Sequence, residues 1–280
     1  MTSTTREQAE RGAAFRSLHQ RAGVFAIPNP WDAGSAKVLT ALGFEALATT
    51  SAGLAFALGR ADGEGGITRE ETLANATAIV RATHLPVSAD LENGFDDAPD
   101  ACAETIRRAA DTGLVGGSIE DATGRADDPI YAFDHAVARV RAAVGAARAL
   151  PFPFTLTARA ENFLYGRPDL DDTLRRLVAY AETGADVLYA PGLRTSEHIA
   201  AVVQAVAPRP VNVVMGLSGA AFSLEQLAAL GVKRVSLGSA LARAAYGGFV
   251  RAAREVKASG TFAFARDAVP YAELNAMFRR

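Results

Sequence analysis

The sequence predicts an α/β chain folded as a TIM-type (β/α)8 barrel, on three observations. Eight short apolar runs alternate with Ala-, Leu- and Arg-rich stretches of helical period, the pattern of βα units on a parallel sheet. Three of those runs end on charge, in order Asp90-Leu-Glu92, Glu120-Asp121 and Arg159. The turn after the first run reads Pro28-Asn-Pro-Trp-Asp-Ala-Gly34, not the Gly-rich fingerprint with which an open doubly wound sheet binds its ligand.

Each element follows from local pattern. A polar helix over 6–22 precedes a first strand, Val24–Pro28, which Pro28 stops. The later strands are predicted at Ala46–Ser51, Pro86–Leu91, Val115–Glu120, Phe154–Arg159, Val187–Ala190, Val211–Met215 and Arg234–Leu237. Helices are predicted near 33–42, 70–82, 98–112, 129–148, 171–183, 195–206, 223–230 and 240–258, with Gly43, Gly113, Gly184 and Gly231 as C-caps. Such regular spacing leaves no linker, and Pro151-Phe-Pro153 reads as the turn into the fifth strand. One domain over 1–280 is expected, with the barrel at about 24–258. The aromatic tail 261–280, with Phe262, Phe264, Tyr271 and Phe278, either packs on a neighbouring subunit or folds back over its own barrel.

Composition narrows the partners. With 280 residues and 49% hydrophobic content the chain can bury a large core, while a net charge of −2 and a pI near 6.1 give no field for nucleic acid or anionic lipid. A small-molecule partner is left, with neither nucleic acid nor membrane. The single cysteine, Cys102, excludes a disulfide framework, and the polar start lacks the apolar stretch of a signal peptide, so a cytoplasmic protein is expected. No apolar run approaches the roughly 18 residues of a membrane span.

Barrel enzymes carry their chemistry at the C-terminal ends of the strands, which removes most reactive side chains from consideration. Lys37, Lys233 and Lys257 fall on helices or before a strand, so a Schiff base has no amine. His19, His84, His135 and His198 fall in helices or at the opposite rim, and Cys102 falls in a helix as a packing thiol. The acids and one arginine survive. Asp90, Glu92 and Glu120 come from consecutive strands, which suits Mg²⁺, a hard cation held by one or two carboxylates and its own waters, with Mn²⁺ as an alternative. Asp96, Asp97 and Asp100 read as helix caps instead. Thr49-Thr-Ser-Ala-Gly-Leu54 ends the second strand with small residues, which permit either close approach of an anion or simple packing. Gly59 to Gly66 reads as a mobile loop crossing the same rim, with Asp62 as a further acid. Gly216-Leu-Ser-Gly219 and Gly238-Ser239 stand where barrels bind phosphate, without a cation to reinforce them.

Six segments in succession resemble one family. Pro28-Asn-Pro-Trp-Asp-Ala-Gly-Ser-Ala36, Thr49-Thr-Ser-Ala-Gly-Leu-Ala55, Ser88-Ala-Asp-Leu-Glu-Asn-Gly-Phe95, Ile119-Glu-Asp121, Ala158-Arg-Ala-Glu-Asn162 and Pro210-Val-Asn-Val213 resemble the signatures of the isocitrate lyase and phosphoenolpyruvate mutase superfamily. The resemblance implies a barrel with Mg²⁺ near Asp90 and with Asp62, Glu92 and Glu120 in direct or water-bridged contact. It implies a ligand carboxylate on the amides of Ser51, Ala52 and Gly53, Arg159 beside the ligand's oxygens, Asn212 at a second carboxylate, and Trp31 and Asp32 in support. It also implies exchange of the eighth barrel helix between subunits, in a homodimer or homotetramer.

The departures are equally specific. Carbon–carbon lyases of this kind carry a Lys-Lys-Cys-Gly-His-type loop after the fourth strand, where this chain has the short, thiol-free Glu120-Asp-Ala-Thr-Gly-Arg-Ala-Asp-Asp-Pro-Ile130. The lysine and asparagine of a phosphonate mutase are absent there, and Ala190-Pro191 replaces a histidine. The expected activity is Mg²⁺-dependent cleavage of a C–C bond in a small 2-oxo or 2-hydroxy (di)carboxylate, by decarboxylation or retro-aldol reaction through an enolate. Arg159, Glu120 and Asp62 would act at the reacting atoms, and Glu161, Tyr165 or water would move the proton. The alternatives are a 2-oxo acid binding protein with little turnover, in which Arg125 and Arg159 clamp carboxylates, and P–C bond chemistry on a phosphonopyruvate-like acid.

Overall fold

A computed structural model describes residues 3–63, 65–216 and 221–279. Helix α1 (Ser3–Gln20) leads into β1 (Phe25–Ile27), and seven further strands follow with helices between them: α2 (Ala33–Ala41), β2 (Leu47–Ala48), α3 (Ser51–Ala57), α4 (Arg69–Arg81), β3 (Val87–Asp90), α5 (Pro99–Asp111), β4 (Gly116–Glu120) and α6 (Phe133–Arg148). The second half continues with β5 (Thr155–Arg159), α7 (Leu170–Glu182), β6 (Val187–Tyr189), α8 (Ser196–Val206), β7 (Val211–Val214), α9 (Leu224–Ala229), β8 (Arg234–Ser236), α10 (Ala240–Ser259) and α11 (Tyr271–Phe278).

The strands form one parallel sheet in the order β1-β8-β7-β6-β5-β4-β3-β2, a nearly closed TIM-type barrel. No ladder joins β1 to β2. That gap is spanned by the Ala48 amide donating to the Pro28 carbonyl at 3.1 Å. Asn29 staples the same place, its Nδ2 donating to the Thr49 carbonyl and its Oδ1 accepting from the amides of Leu237 and Gly238.

Because side chains alternate along a strand, Leu156, Ala158, Leu188 and Val213 face outward into the main core while Thr157, Arg159, Tyr189 and Asn212 face the barrel interior. The outward layer meets the apolar stripes of the helices, for example Ile106 of α5, Leu177 of α7 and Val202 of α8, all fully buried. Each such side chain contributes about 1.5–3 kcal/mol by leaving water. The foot of the barrel is closed by α1, whose Phe15 packs with Phe25, Ile27 and Val115. Gly116 makes room for it, since a Cβ there would lie 2.9 Å from the Phe15 ring.

Two predicted boundaries require correction. The second strand ends at Ala48 and not at Ser51, because Thr50 turns the chain: its hydroxyl accepts from the Gly53 amide and starts α3. The sixth helix starts at Phe133 and not at 129, because Ile130 bridges back to Ala122 and Tyr131 donates its amide to the Asp121 carbonyl. Leu217 to Gly219 of the suggested phosphate turn, and Glu64 of the rim loop, lie outside the described residues.

After its first turn α10 leaves the barrel. Only Ala242 of this helix is buried, and Phe249 is 68% exposed. The chain then returns to its own α2, where Lys37 Nζ donates to the Phe278 carbonyl at 2.9 Å. Among the described residues no helix is long and apolar enough to cross a membrane.

Candidate active site

Arg159, the last residue of β5, is the hub of the barrel mouth. Its Nη1 lies 3.0 Å from Asp90 Oδ1, its Nη2 3.1 Å from Glu120 Oε2, and its Nε 2.8 Å from Glu161 Oε1. Asp90 ends β3 and Glu120 ends β4, so strand register delivers both carboxylates to one guanidinium at the same mouth. The Tyr189 ring lies under that guanidinium, 5.2 Å from its carbon.

Burial alone would lower the Arg159 pKa, but the charges of Glu120, Glu161 and Asp90 outweigh it and hold the guanidinium firmly protonated. Glu120 and Glu161 are pushed up by burial, with Arg159 opposing. Glu92 reaches about 7, first through desolvation and then through the negative charges of Asp90 and Asp62. Asp62 rises by desolvation first and then by the charge of Asp90, although it keeps an open solvent face on its loop. The mouth therefore gathers the carboxyl groups of Asp62, Asp90, Glu92, Glu120 and Glu161 around a single arginine.

The loop bearing Glu92 is held in an uncommon conformation. Glu92 and Phe95 have φ of 47° and 67°, in the left-handed region that disfavours side chains. Buried Arg139 grips this loop from below, donating to the carbonyls of Asn93, Asp96 and Asp97 with its guanidinium 4.1 Å from the Tyr131 ring centre. Glu161 is fixed in a different way: its amide donates to Asp121 Oδ1 at 2.8 Å, and Asp121 Oδ2 accepts from Tyr180 at 2.7 Å and Arg176 at 3.1 Å. The sequence offered Glu161 as a proton carrier; its contact with Arg159 and the support from Asp121, Arg176 and Tyr180 were not legible there, since they depend on residues up to 59 positions apart.

Two connected spaces open here. An outer vestibule of about 840 Å³ is lined by Asp62, Glu92, Glu120, Glu161 and Tyr165, and Tyr165 keeps its proton because burial and the charges of Glu120 and Glu161 raise its pKa. Beneath it a cavity of about 230 Å³ runs into the barrel past Ser51, Ala52, Asp90, Arg159 and Asn212.

The other predicted residues are disposed as follows. Ser51 Oγ donates to Asp90 Oδ2 at 2.9 Å, and its amide approaches the same oxygen at 3.4 Å. The Gly53 amide is turned to Thr50 Oγ1 at 3.2 Å, and Gly53 sits against Trp31, whose Cβ would lie 2.9 Å from an added Cβ. Trp31 thus backs α3, and its carbonyl accepts from Asn75 at 2.9 Å. Asp32 caps α2 with a reciprocal bond pair to Ser35. Asn212 is buried, accepting from Arg234 at 2.8 Å and donating to Ser236 at 2.9 Å. Arg125 points away, its Nη1 donating to both carboxylate oxygens of Asp97 at 2.9 Å. Cys102 is buried in α5 with its thiol pKa raised by desolvation.

Comparison with known proteins places the chain in a family. The sequence profile of the phosphoenolpyruvate phosphomutase family matches residues 15–257. A crystal structure of a candidate lyase/mutase from Burkholderia cenocepacia J2315 is 63% identical, covers 98% of this chain and 97% of its own, and superposes with a TM-score of 0.95. The uncharacterized protein Rv1998c of Mycobacterium tuberculosis H37Rv is 32% identical over 94% of this chain and 95% of its own length. The crystal structure of 2,3-dimethylmalate lyase is 25% identical over 96% of this chain and 94% of its own, with a TM-score of 0.85. On the profile, the identities and the shared barrel, the chain belongs to the phosphoenolpyruvate phosphomutase family, within the phosphoenolpyruvate mutase/isocitrate lyase superfamily.

Proposed function

We propose that this protein is a Mg²⁺-dependent carbon–carbon lyase that cleaves a small 2-oxo or 2-hydroxy (di)carboxylate by decarboxylation or retro-aldol reaction. The observation that carries the reading is the meeting of Asp90, Glu120 and Glu161 on Arg159 at the barrel mouth. The dimethylmalate lyase of the same superfamily supports it by its named substrate, a small dicarboxylate.

The donors fit the cation. Among the described residues no three acids, histidines or cysteines lie close enough to hold an ion by direct bonds alone. Mg²⁺ needs no such cage, since it keeps several waters and takes one or two carboxylates. Asp90 would be its ligand, with Asp62, Glu92 and Glu120 reached directly or through water, and Mn²⁺ suits the same oxygens. Burial first, and then the neighbouring carboxylates of Asp90 and Asp62, lift Glu92 to about 7, and a cation would relieve the second of these effects. When bound, the ion would polarise the keto oxygen of the ligand.

The chain's own groups do the rest. Arg159 stabilises negative charge that develops on the substrate's oxygen as the bond at C3 breaks, an effect worth several kcal/mol when the donor is fixed beforehand. Glu161 fixes it by holding Nε, and Asp121 fixes Glu161. The substrate's carboxylate lies against Ser51 and Ala52 in the inner cavity, and Asn212 faces its far end. Tyr165, protonated and at the vestibule, donates its proton to the carbon fragment and takes another from solvent, which in a retro-aldol reaction has received the substrate's hydroxyl proton. We also propose that a second copy of the chain covers the exposed face of α10 in a homodimer or homotetramer.

Turnover of oxaloacetate, dialkylmalates and methylisocitrate with Mg²⁺ tests the reading, with phosphonopyruvate as the P–C control. Cleavage of one of the carbon acids, and loss of metal-dependent ligand binding in Asp90→Ala, are the expected results. If every substrate is inert while a 2-oxo acid still raises the melting temperature, the protein is a binding module and not a lyase. Unchanged ligand affinity in Asp90→Ala would reject the metal assignment.

A further inference from the structure

The chemistry proposed above occupies the mouth and leaves the foot of the barrel unassigned. Most TIM-type interiors are filled with branched apolar side chains. Here Ser88, Ser118, Thr157 and Ser236 line the lower part of the inner cavity, so the shaft beneath Arg159 is polar.

At its foot stands Arg234, the first residue of β8, 5% exposed and forming part of the cavity wall. Its Nε donates to Asn212 Oδ1 at 2.8 Å and its Nη2 to Thr157 Oγ1 at 2.9 Å, while Nη1 lies 3.4 Å from His19 Nε2. His19 donates through Nδ1 to the Phe15 carbonyl at 2.8 Å, and burial beside Arg234 holds its pKa down at about 3, so it adds no charge. Among the described residues no carboxylate pairs with Arg234, whereas Arg159 pairs with three. A buried guanidinium with only neutral partners is costly, and an apolar side chain of similar size would fill the position at less cost. The unbalanced positive charge faces a cavity that a small anion can enter.

We propose that Arg234 is the counter-charge for an acid group at the end of the ligand remote from the mouth, so that this barrel selects diacids over monoacids of the same length. The inference rests on the reading that a 2-oxo or 2-hydroxy carboxylate binds at Asp90 and Arg159. Asn212, held between Ser236 and Arg234, is the adjoining neutral donor, and its orientation is set by the guanidinium. The cavity of about 230 Å³ restricts the ligand to a short chain, well below the roughly 300–1,000 Å³ of sites for drug-sized molecules.

The test is calorimetric titration of the full chain with Mg²⁺, comparing 2-oxoglutarate with 2-oxopentanoate and malate with 2-hydroxybutanoate. Oxalate, too short to reach the foot while held at the mouth, is the reference probe. The wild type is expected to bind the diacid of the better-fitting pair at least about tenfold more tightly, and Arg234→Met to remove that gap while oxalate affinity stays within about twofold. A wild type without preference for the diacid overturns the proposal with no variant needed, as does a preference that survives in Arg234→Met. Loss of oxalate binding in the wild type itself would be a different failure, that of the mouth assignment, and would remove this proposal with it.

Discussion

Arg159→Lys preserves the charge at the hub and removes its fork. The guanidinium makes three contacts of 2.8, 3.0 and 3.1 Å to three acids on different segments, and a single ammonium cannot span all three. Taking about 1.5–3 kcal/mol for each hydrogen bond to a charged group, loss of two gives about 3–6 kcal/mol. Part is recovered, because Glu120 and Glu161 are already pushed up by burial and take up protons once the cation recedes, at about 1.4 kcal/mol per pKa unit. The net loss at neutral pH should be about 2–4 kcal/mol. Urea unfolding should show a lower midpoint with an unchanged slope, and calorimetry should show oxalate binding at least about tenfold weaker in Mg²⁺. Wild-type midpoint and wild-type affinity together would remove Arg159 from the centre of the site.

Acid should weaken the fold through His19. Its folded pKa of about 3 lies below the ordinary 6.5, so the unfolded chain binds the extra proton. This contribution is fully present above pH 6.5 and is lost as pH falls toward 3, at about 1.4 kcal/mol per unit, or about 2 kcal/mol at pH 5. His19→Gln should flatten the stability curve between pH 7 and 5, and parallel curves for the two proteins would exclude His19 as the source. Phe249→Glu, on the exposed face of α10, should shift the mass measured by light scattering to that of a monomer. An unchanged mass would mean that no second copy covers this face.

Much of the architecture was legible because several strands carry their own stop signals. Pro28 ends one, Glu120 another and Arg159 a third, and the glycines predicted as caps take positive φ, as at Gly113 (94°) and Gly184 (100°). The acids of the mouth were legible for the same reason, since a charge directly after a buried strand must face something polar. What escaped depends on spatial neighbours. Ser51 reads as the last residue of a strand, and the helix Ser51–Ala57 shows only once Thr50 is seen to accept from Gly53. Arg234 looks like an ordinary polar residue at a strand start, and only barrel closure brings Thr157 and Asn212 around it. Asp121 follows Glu120 in sequence, yet the alternation of the chain sends it outward to Arg176 and Tyr180, so adjacent acids serve unlike purposes.

The join between the first and second strands has a mechanical consequence. Everywhere else the wall is laced by a ladder, but here it depends on one amide and on the carboxamide of Asn29. Thermal breathing should concentrate along that line, and deuterium should enter Ala48 before it enters β4 or β5. Ser51 and Trp31 flank it, so the least secured edge of the cylinder borders its entrance, and widening for an incoming molecule can happen there without disturbing the rest.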